Sequence, residues 1–274
     1  MHLQVHLKSR AVHLSTGVTL QYVERGHRSG VPVLLLHAYL DSWRSFERVL
    51  EHLPDDLHAF APSQRGHGDS GRPPAGYGAA DLVADVAAFM DALGIDAAVL
   101  VGSSSAADTA RRFALEYPDR TLGLIMVGAF NTFPADAPAV REMGEEIAAL
   151  TDPIDPDFVR DFVAGTAGAS VPPDFLETVV AESRKVPARV WREMFDGLLG
   201  APPLAGTIDV PTLILWGDAD PICSRDEQQA LLDAIPHAEL RTYPGAGHLV
   251  HWEQPERVAA DIALFAARGY RAPA

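Results

Sequence analysis

Three residues that together can perform nucleophilic acyl transfer occur in the order Ser104, Asp220, His248. A serine hydroxyl is a weak nucleophile at neutral pH and needs a neighbouring base, which an imidazole can supply. A carboxylate can then hold the imidazole in one tautomer and stabilise its charged form. Because each residue follows a strand-like segment, the sequence predicts that they meet at one edge of a sheet as a catalytic triad.

Ser104 lies where an apolar run, residues 97–101, meets a cluster of very small residues and then a helical pattern. So sharp a strand–turn–helix junction requires small residues two positions before and after its centre. Centring the turn on Ser104 places Gly102 and Ala106 there, and Ser105 is a weaker alternative centre. Taken alone, the segment also fits an ordinary polar loop, so the interpretation depends on the rest of the chain.

The base and the acid follow two later strand-like segments. His248 comes after the small-residue turn 245–247, which can carry an imidazole across to the serine. Asp220 follows the apolar run 210–216 and is the preferred acid, with Asp218 as the runner-up. Considered alone, His248 could be only a turn residue, and Asp220 could be only a turn former or a helix cap. The Ser–Asp–His order along the chain favours the triad.

Charge that develops on a substrate oxygen needs hydrogen-bond donors fixed in advance. The sequence predicts two backbone N–H donors for this oxyanion hole, those of Ser105 and Tyr39. Ser105 follows the proposed nucleophile, and Tyr39 lies in the loop after the strand-like run 31–36. His37, at the end of that run, is interpreted as a buried structural histidine.

Apolar runs that alternate with amphipathic helical patterns predict a mostly parallel, doubly wound α/β sheet with helices on both faces. A hairpin of residues 11–14 and 19–24 precedes these strands, which are predicted at residues 31–36, 57–61, 97–101, 121–127, 210–216 and 239–243. Residues 79–93 carry the clearest amphipathic helical pattern.

Residues 131–205 interrupt this alternation. They are rich in proline and acidic residues and show helical patterns near 137–150, 155–164, 173–185 and 187–199. We therefore expect a core of residues 1–130 and 206–274 with a helical lid of residues 131–205. Large apolar lid residues are expected to pack mainly in a core and in part to line a pocket: Phe158, Phe162, Phe175, Trp191, Met194 and Phe195.

Composition narrows the partner class. The 274 residues carry 22 Lys and Arg against 37 Asp and Glu, a net charge of −15, which disfavours nucleic-acid binding. The expected partner is a small molecule, and an acidic surface mildly favours one that carries an amine. No cofactor motif or metal-ligand spacing is recognised, and His2, His6 and His13 are interpreted as surface residues.

The expected location is the cytoplasm. Residues 1–8 lack the apolar core of a signal peptide, and no apolar run reaches the roughly 18 residues that a bilayer span requires. The single cysteine, Cys223, excludes an internal disulfide and fits a reducing compartment.

Five segments resemble the α/β-hydrolase superfamily, and they are spread over nearly the whole chain outside the lid: residues 34–38, 65–70, 101–105, 217–221 and 245–248. Two departures are Ala38, where members usually have glycine, and residues 103–107, where they usually have His-Ser-x-Gly-Gly. The added methyl groups of these alanines should narrow the oxyanion-hole loop and the turn at Ser104, and so change the substrate preference. A serine at position 104 argues against the dehalogenases and epoxide hydrolases, which use aspartate there.

The resemblance implies hydrolysis of a carboxylic ester or lactone through an acyl-enzyme. Within the superfamily the chain resembles the serine-dependent macrolide esterases, and this resemblance implies that it opens a macrolide lactone ring and inactivates an antibiotic. The same triad would serve a carbon–carbon bond hydrolase or a perhydrolase. A ligand receptor on the hydrolase fold is the alternative of a different class.

Overall fold

The computed structural model describes residues 7–168 and 170–268. Within them, eight strands form one sheet in the spatial order β1-β2-β4-β3-β5-β6-β7-β8. The strands are β1 (Arg10–His13), β2 (Thr19–Gly26), β3 (Val31–Leu36), β4 (Leu57–Pro62), β5 (Ala98–Ser103), β6 (Thr121–Val127), β7 (Thr212–Gly217) and β8 (Ala238–Tyr243). β2 pairs antiparallel with β1 and β4, and every other pair is parallel. The predicted mostly parallel α/β fold is confirmed.

The central strands are apolar because both faces of the sheet are covered. All six residues of β5 and of β7 are buried, as expected for a parallel strand between two helical layers. Alternate residues point to opposite faces: Leu100 packs in the cluster that contains Phe113, and Val101 packs in the cluster that contains Phe265.

Ten α-helices are found in the described part of the chain. They are α1 (Glu47–His52), α2 (Ala79–Leu93), α3 (Ser105–Glu116), α4 (Pro138–Ala148), α5 (Pro156–Thr166), α6 (Pro173–Ser183), α7 (Ala188–Leu199), α8 (Arg225–Ala234), α9 (Val250–Glu253) and α10 (Pro255–Ala266). Helices α2, α3 and α8 cover one face of the sheet, and α1 and α10 cover the other.

Helices α4 to α7 lie between β6 and β7 in the chain and share an apolar cluster of their own. Trp191 is fully buried there, and its ring lies 5.0 Å from that of Phe162. The cluster also includes Tyr39 and Leu249 from loops of the sheet domain, so the four helices sit over the loops that follow the strands. That residues 131–205 act as a lid separate from the core stays a prediction.

Parallel pairing brings the carboxyl ends of the central strands to one edge of the sheet. Leu36 pairs with Gly102, Ser103 with Val127, and Gly217 with Tyr243. The chain segments that follow these strands therefore leave the sheet side by side, which is the condition for assembling a site from distant residues.

Some expectations fall outside the described residues, namely those for His2 and His6 and for residues 1–6 and 269–274 of the predicted core. His13, the third N-terminal histidine, is exposed on β1. Among the described helices, none combines the length and the apolar character that a membrane crossing requires.

Candidate active site

Ser104 occupies the turn between β5 and α3 with backbone angles φ 49° and ψ −116°. A positive φ at a non-glycine residue is strained, and the surrounding structure must hold it. The N–H of Ser104 donates to the carbonyl of Val127 at 2.8 Å. A Cβ atom on Gly102 would lie 2.5 Å from the carbonyl oxygen of Ala106, so only glycine fits there. The structure thus places Ser104, rather than Ser105, at the centre of the turn.

Ser104, His248 and Asp220 form one continuous hydrogen-bonded chain. The Nε2 atom of His248 lies 2.9 Å from Ser104 Oγ, and its Nδ1 atom lies 2.9 Å from Asp220 Oδ2. The other carboxylate oxygen, Oδ1, accepts the N–H groups of Ile222 at 2.7 Å and Cys223 at 3.0 Å. The carboxylate is therefore fixed on both sides, and its Oδ2 can only face the imidazole.

Asp218, the runner-up acid, lies elsewhere. It is exposed, and its Oδ1 accepts the N–H of Gly245 at 2.6 Å. This bond stabilises the turn that carries His248, which gives Asp218 a structural role. The structure brings Asp220, not Asp218, to the imidazole.

Gly128, directly after β6, allows the histidine to approach the sheet. Its φ is +57°, and a Cβ atom there would lie 2.5 Å from the carbonyl oxygen and 3.1 Å from the ring of His248. Any side chain at this position would displace the imidazole. Gly128 and His248 are 120 residues apart in the chain, and their contact arises only on folding, so sequence reasoning did not single out Gly128.

Tyr39 and Ser105, whose N–H groups are predicted to form the oxyanion hole, line the same cavity as Ser104. Neither the N–H of Tyr39 nor that of Ser105 donates to an acceptor in residues 7–168 and 170–268. The loop that carries Tyr39 is held by His67, whose Nε2 accepts the N–H of Leu40 at 3.3 Å. His37 is fully buried, its Nε2 accepts the N–H of Gln64 at 2.8 Å, and burial keeps its pKa well below the usual value.

A cavity of about 420 Å³ opens onto Ser104 and His248. Its walls are largely apolar and come mainly from α4, α5, α7 and the loop after β6, including Phe130, Phe133, Met143, Phe162, Phe195 and Leu198. Two of the six apolar lid residues considered from the sequence, Phe162 and Phe195, thus line the cavity. Phe175 and Trp191 are buried in the cluster of α4 to α7.

A second compartment, of about 350 Å³, shares Ser104, Ser105 and Phe130 with the first. Its wall includes Arg111 and Asn131. Sequence reasoning missed Arg111, although a signal existed: it lies two turns into the helix that follows Ser104.

Asp41 is a second residue that sequence reasoning missed. It lines the apolar cavity, its carboxylate accepts a hydrogen bond from Ser45 Oγ at 3.0 Å, and burial raises its pKa to about 8. Its place in the loop after β3, three residues beyond Ala38, was the available signal.

Asp220, Cys223 and His248 have their potential ligand atoms within 4.8 Å of one another. A thiol binds metal as a thiolate, but burial beside Asp220 raises the pKa of Cys223 well above its usual value. Both ring nitrogens of His248 are engaged with Ser104 and Asp220. The arrangement therefore fits a proton-transfer chain better than a metal site.

Comparison with known proteins agrees with this geometry. The family model described as alpha/beta hydrolase fold matches residues 31–174 and 184–255. The chain is 29% identical to the 2-hydroxy-6-oxo-6-phenylhexa-2,4-dienoate hydrolase of Burkholderia cepacia, over 62% of this chain and 63% of that protein, and so spans less than two thirds of its length. It is 28% identical to the 2-hydroxymuconate semialdehyde hydrolase of Pseudomonas sp. (strain CF600), over 87% and 88%. A thermophilic esterase from Thermogutta terrifontis superposes with a TM-score of 0.84 at 26% identity, covering 95% of this chain and 98% of that one.

Proposed function

This chain belongs to the alpha/beta hydrolase fold family, and on that basis we propose that it is a serine hydrolase that cleaves a carboxylic ester or lactone through an acyl-enzyme on Ser104. The observation that carries the proposal is the unbroken hydrogen-bonded chain from Asp220 through His248 to Ser104. Its two 2.9 Å contacts lie within the range that a nucleophile and its base require.

In the proposed mechanism, Ser104 Oγ attacks the ester carbonyl carbon while His248 Nε2 takes the hydroxyl proton. The carbonyl oxygen becomes negatively charged and accepts hydrogen bonds from the N–H groups of Tyr39 and Ser105. The imidazolium, stabilised by Asp220, then gives its proton to the departing alkoxide, which leaves as the alcohol. Water repeats the sequence on the acyl-enzyme, releasing the carboxylic acid and restoring the serine.

The largely apolar walls of the cavity fit a substrate with an apolar substituent next to the scissile bond. Burial of apolar substrate surface contributes about 25 cal/mol per Å². At about 420 Å³, the cavity lies in the lower half of the roughly 300–1,000 Å³ range of small-molecule sites. Its size fits a small ester more closely than a macrolactone ring, and opening of a macrolide lactone stays a prediction from the sequence.

Carbon–carbon bond hydrolysis is the second candidate, and the similarity to the two hydrolases of B. cepacia and Pseudomonas favours it. Both reactions use the same serine, histidine and carboxylate, so the triad does not distinguish them. A receptor on this fold would bind a ligand without turning it over.

The test is mass spectrometry of the protein after brief incubation with p-nitrophenyl butyrate, a macrolactone antibiotic and a vinylogous dienoate. We expect a butyryl adduct on the peptide that contains Ser104, absent in Ser104→Ala. Ser105→Ala, which keeps its backbone N–H, should still form the adduct. Cleavage of the dienoate alone would move the assignment to the carbon–carbon hydrolases, and addition of water to the macrolactone would support the macrolide prediction. Equal turnover by wild type and Ser104→Ala would refute the proposal, and binding without any turnover would favour a receptor.

A further inference from the structure

Arg111 is a buried cation in the wall of the second compartment. Its side chain lies on α3, and the residue is only 5% exposed. The compartment reaches Ser104 and Ser105, so whatever occupies it is next to the proposed nucleophile.

The hydrogen bonds of Arg111 leave most of its guanidinium unused. Nη1 donates to the backbone carbonyls of Phe130 at 3.1 Å and Asn131 at 2.9 Å. Nε is buried and has no acceptor in the described chain. A guanidinium carries five N–H donors, and burial without matching acceptors is unfavourable.

The positive charge of Arg111 is only partly compensated, by Asp108 in the wall of the same compartment. Within residues 7–168 and 170–268 no carboxylate lies within 4.0 Å of its guanidinium. Asp108, one turn earlier on α3, is paired instead with Nε of Arg112 at 2.6 Å. An unpaired charge in a buried position carries a large desolvation cost, which an anion placed beside it would offset.

The position of Arg111 on α3 limits how far a group bound to it can lie from the scissile bond. Arg111 lies two turns into α3, a rise of about 10 Å from the end that follows Ser104, and it shares the wall of the compartment with Ser104. Long helical side chains lean toward the helix N-terminus, which here is the serine end. A group bound by the guanidinium would therefore lie about 10 Å or less from Ser104.

We propose that Arg111 binds a carboxylate of the substrate, and hence that the enzyme acts on molecules carrying a free carboxylate a few bonds from the bond to be cleaved. The planar guanidinium matches a carboxylate better than any other side chain does. Asn131 lies in the same wall, and an asparagine amide is a neutral hydrogen-bond donor. This inference rests on the proposed function and names the substrate class of the same site.

The substrate preference can be measured with two matched esters, the mono-p-nitrophenyl ester of glutaric acid and its methyl-capped neutral form. We expect wild type to favour the acid in kcat/KM by tenfold or more. Arg111→Met should lose most of that preference, about 10- to 100-fold for the acid, with a much smaller change for the neutral ester. Arg111→Lys, which keeps the charge without the planar fork, should be intermediate. Arg160→Met removes a surface cation that Glu177 pairs and that lies outside this compartment, and it should keep the preference.

Binding is measured separately from turnover, by calorimetry with 4-phenylbutanoate and 4-phenylbutanamide. Wild type should bind the acid at least tenfold more tightly than the amide, and Arg111→Met should bind the two alike. If no ester is hydrolysed but this difference is present, the carboxylate site stands and the proposed function fails. Equal affinities in wild type would overturn the inference. So would an equal loss on both esters in Arg111→Met, which would show that Arg111 only anchors the carbonyls of Phe130 and Asn131.

Discussion

Replacing Asp220 by asparagine should abolish most of the activity without changing the shape of the site. Asp220 Oδ1 accepts two backbone N–H groups, from Ile222 and Cys223. In Asp220→Asn the amide oxygen must keep that position, because an NH₂ group there would face two donors. The amide NH₂ then faces Nδ1 of His248, which must become the acceptor. The imidazole proton moves to Nε2, and the ring can no longer take the proton of Ser104.

The expected magnitude follows from this change of tautomer. Loss of the correct tautomer and of the charge that stabilises the imidazolium costs about 10⁴-fold in kcat in a serine triad. At about 1.4 kcal/mol per factor of ten, this corresponds to a barrier about 5 kcal/mol higher. The buried position of Asp220, beside a His248 that is only 2% exposed, keeps the interaction free of solvent screening.

The assay is the rate of p-nitrophenol release from p-nitrophenyl butyrate in a single turnover, which isolates acylation. Asp218→Asn is the matched control, because Asp218 is exposed and its carboxylate accepts the N–H of Gly245 instead of a hydrogen bond from His248. We expect Asp218→Asn to lose less than tenfold. A loss below tenfold in Asp220→Asn, or a greater loss in the control, would refute the assignment of the acid.

Three further predictions concern stability. Gly102→Ala should lower the free energy of unfolding by about 2–3 kcal/mol because the new Cβ would lie 2.5 Å from the carbonyl oxygen of Ala106. Gly165→Ala is the control: its Cβ would meet nothing within 4 Å, so the substitution should be neutral or stabilising. Urea denaturation measures both changes. Burial raises the pKa of Asp41 to about 8, so the folded protein keeps a proton that the unfolded chain releases near pH 4, and the free energy of unfolding of wild type should fall by up to about 1.4 kcal/mol per pH unit between these values. Asp41→Asn lacks this group, so its melting temperature relative to wild type should rise from pH 5 to pH 8. A constant difference in melting temperature would contradict this prediction. Burial lowers the pKa of His251 to about 3, so this residue stays neutral in the folded protein while the unfolded chain takes up a proton below pH 6.5, and the free energy of unfolding should decrease as the pH falls from 6.5 toward 3. His251→Gln should reduce this loss of stability. An unchanged midpoint of acid unfolding would argue against the prediction.

The sequence alone was sufficient for the fold and for the residues that end its strands. Five of the six adjacent parallel strands, β3 to β7, were recognisable as apolar runs because burial on both faces requires them, and the predicted bounds of β6 match Thr121–Val127 in the structure. The sixth, β8, is only partly buried. The turn at Ser104 was recognisable because its strain excludes large neighbours, a requirement written into residues two positions away. These are local constraints, so local patterns reveal them.

Tertiary structure decided which polar groups meet. Asp218 and Asp220 are two residues apart and equally suited by type, and only the path of the chain after β7 turns Asp220 toward His248. The sequence does not distinguish Arg111 from other helical arginines. The packing of α3 against the loop after β6 buries it, and no carboxylate of residues 7–168 and 170–268 forms a salt bridge with it. The charge of a side chain is fixed by its chemistry, but whether that charge is paired, exposed or open to a substrate depends on residues distant in sequence, and only the folded chain brings those together.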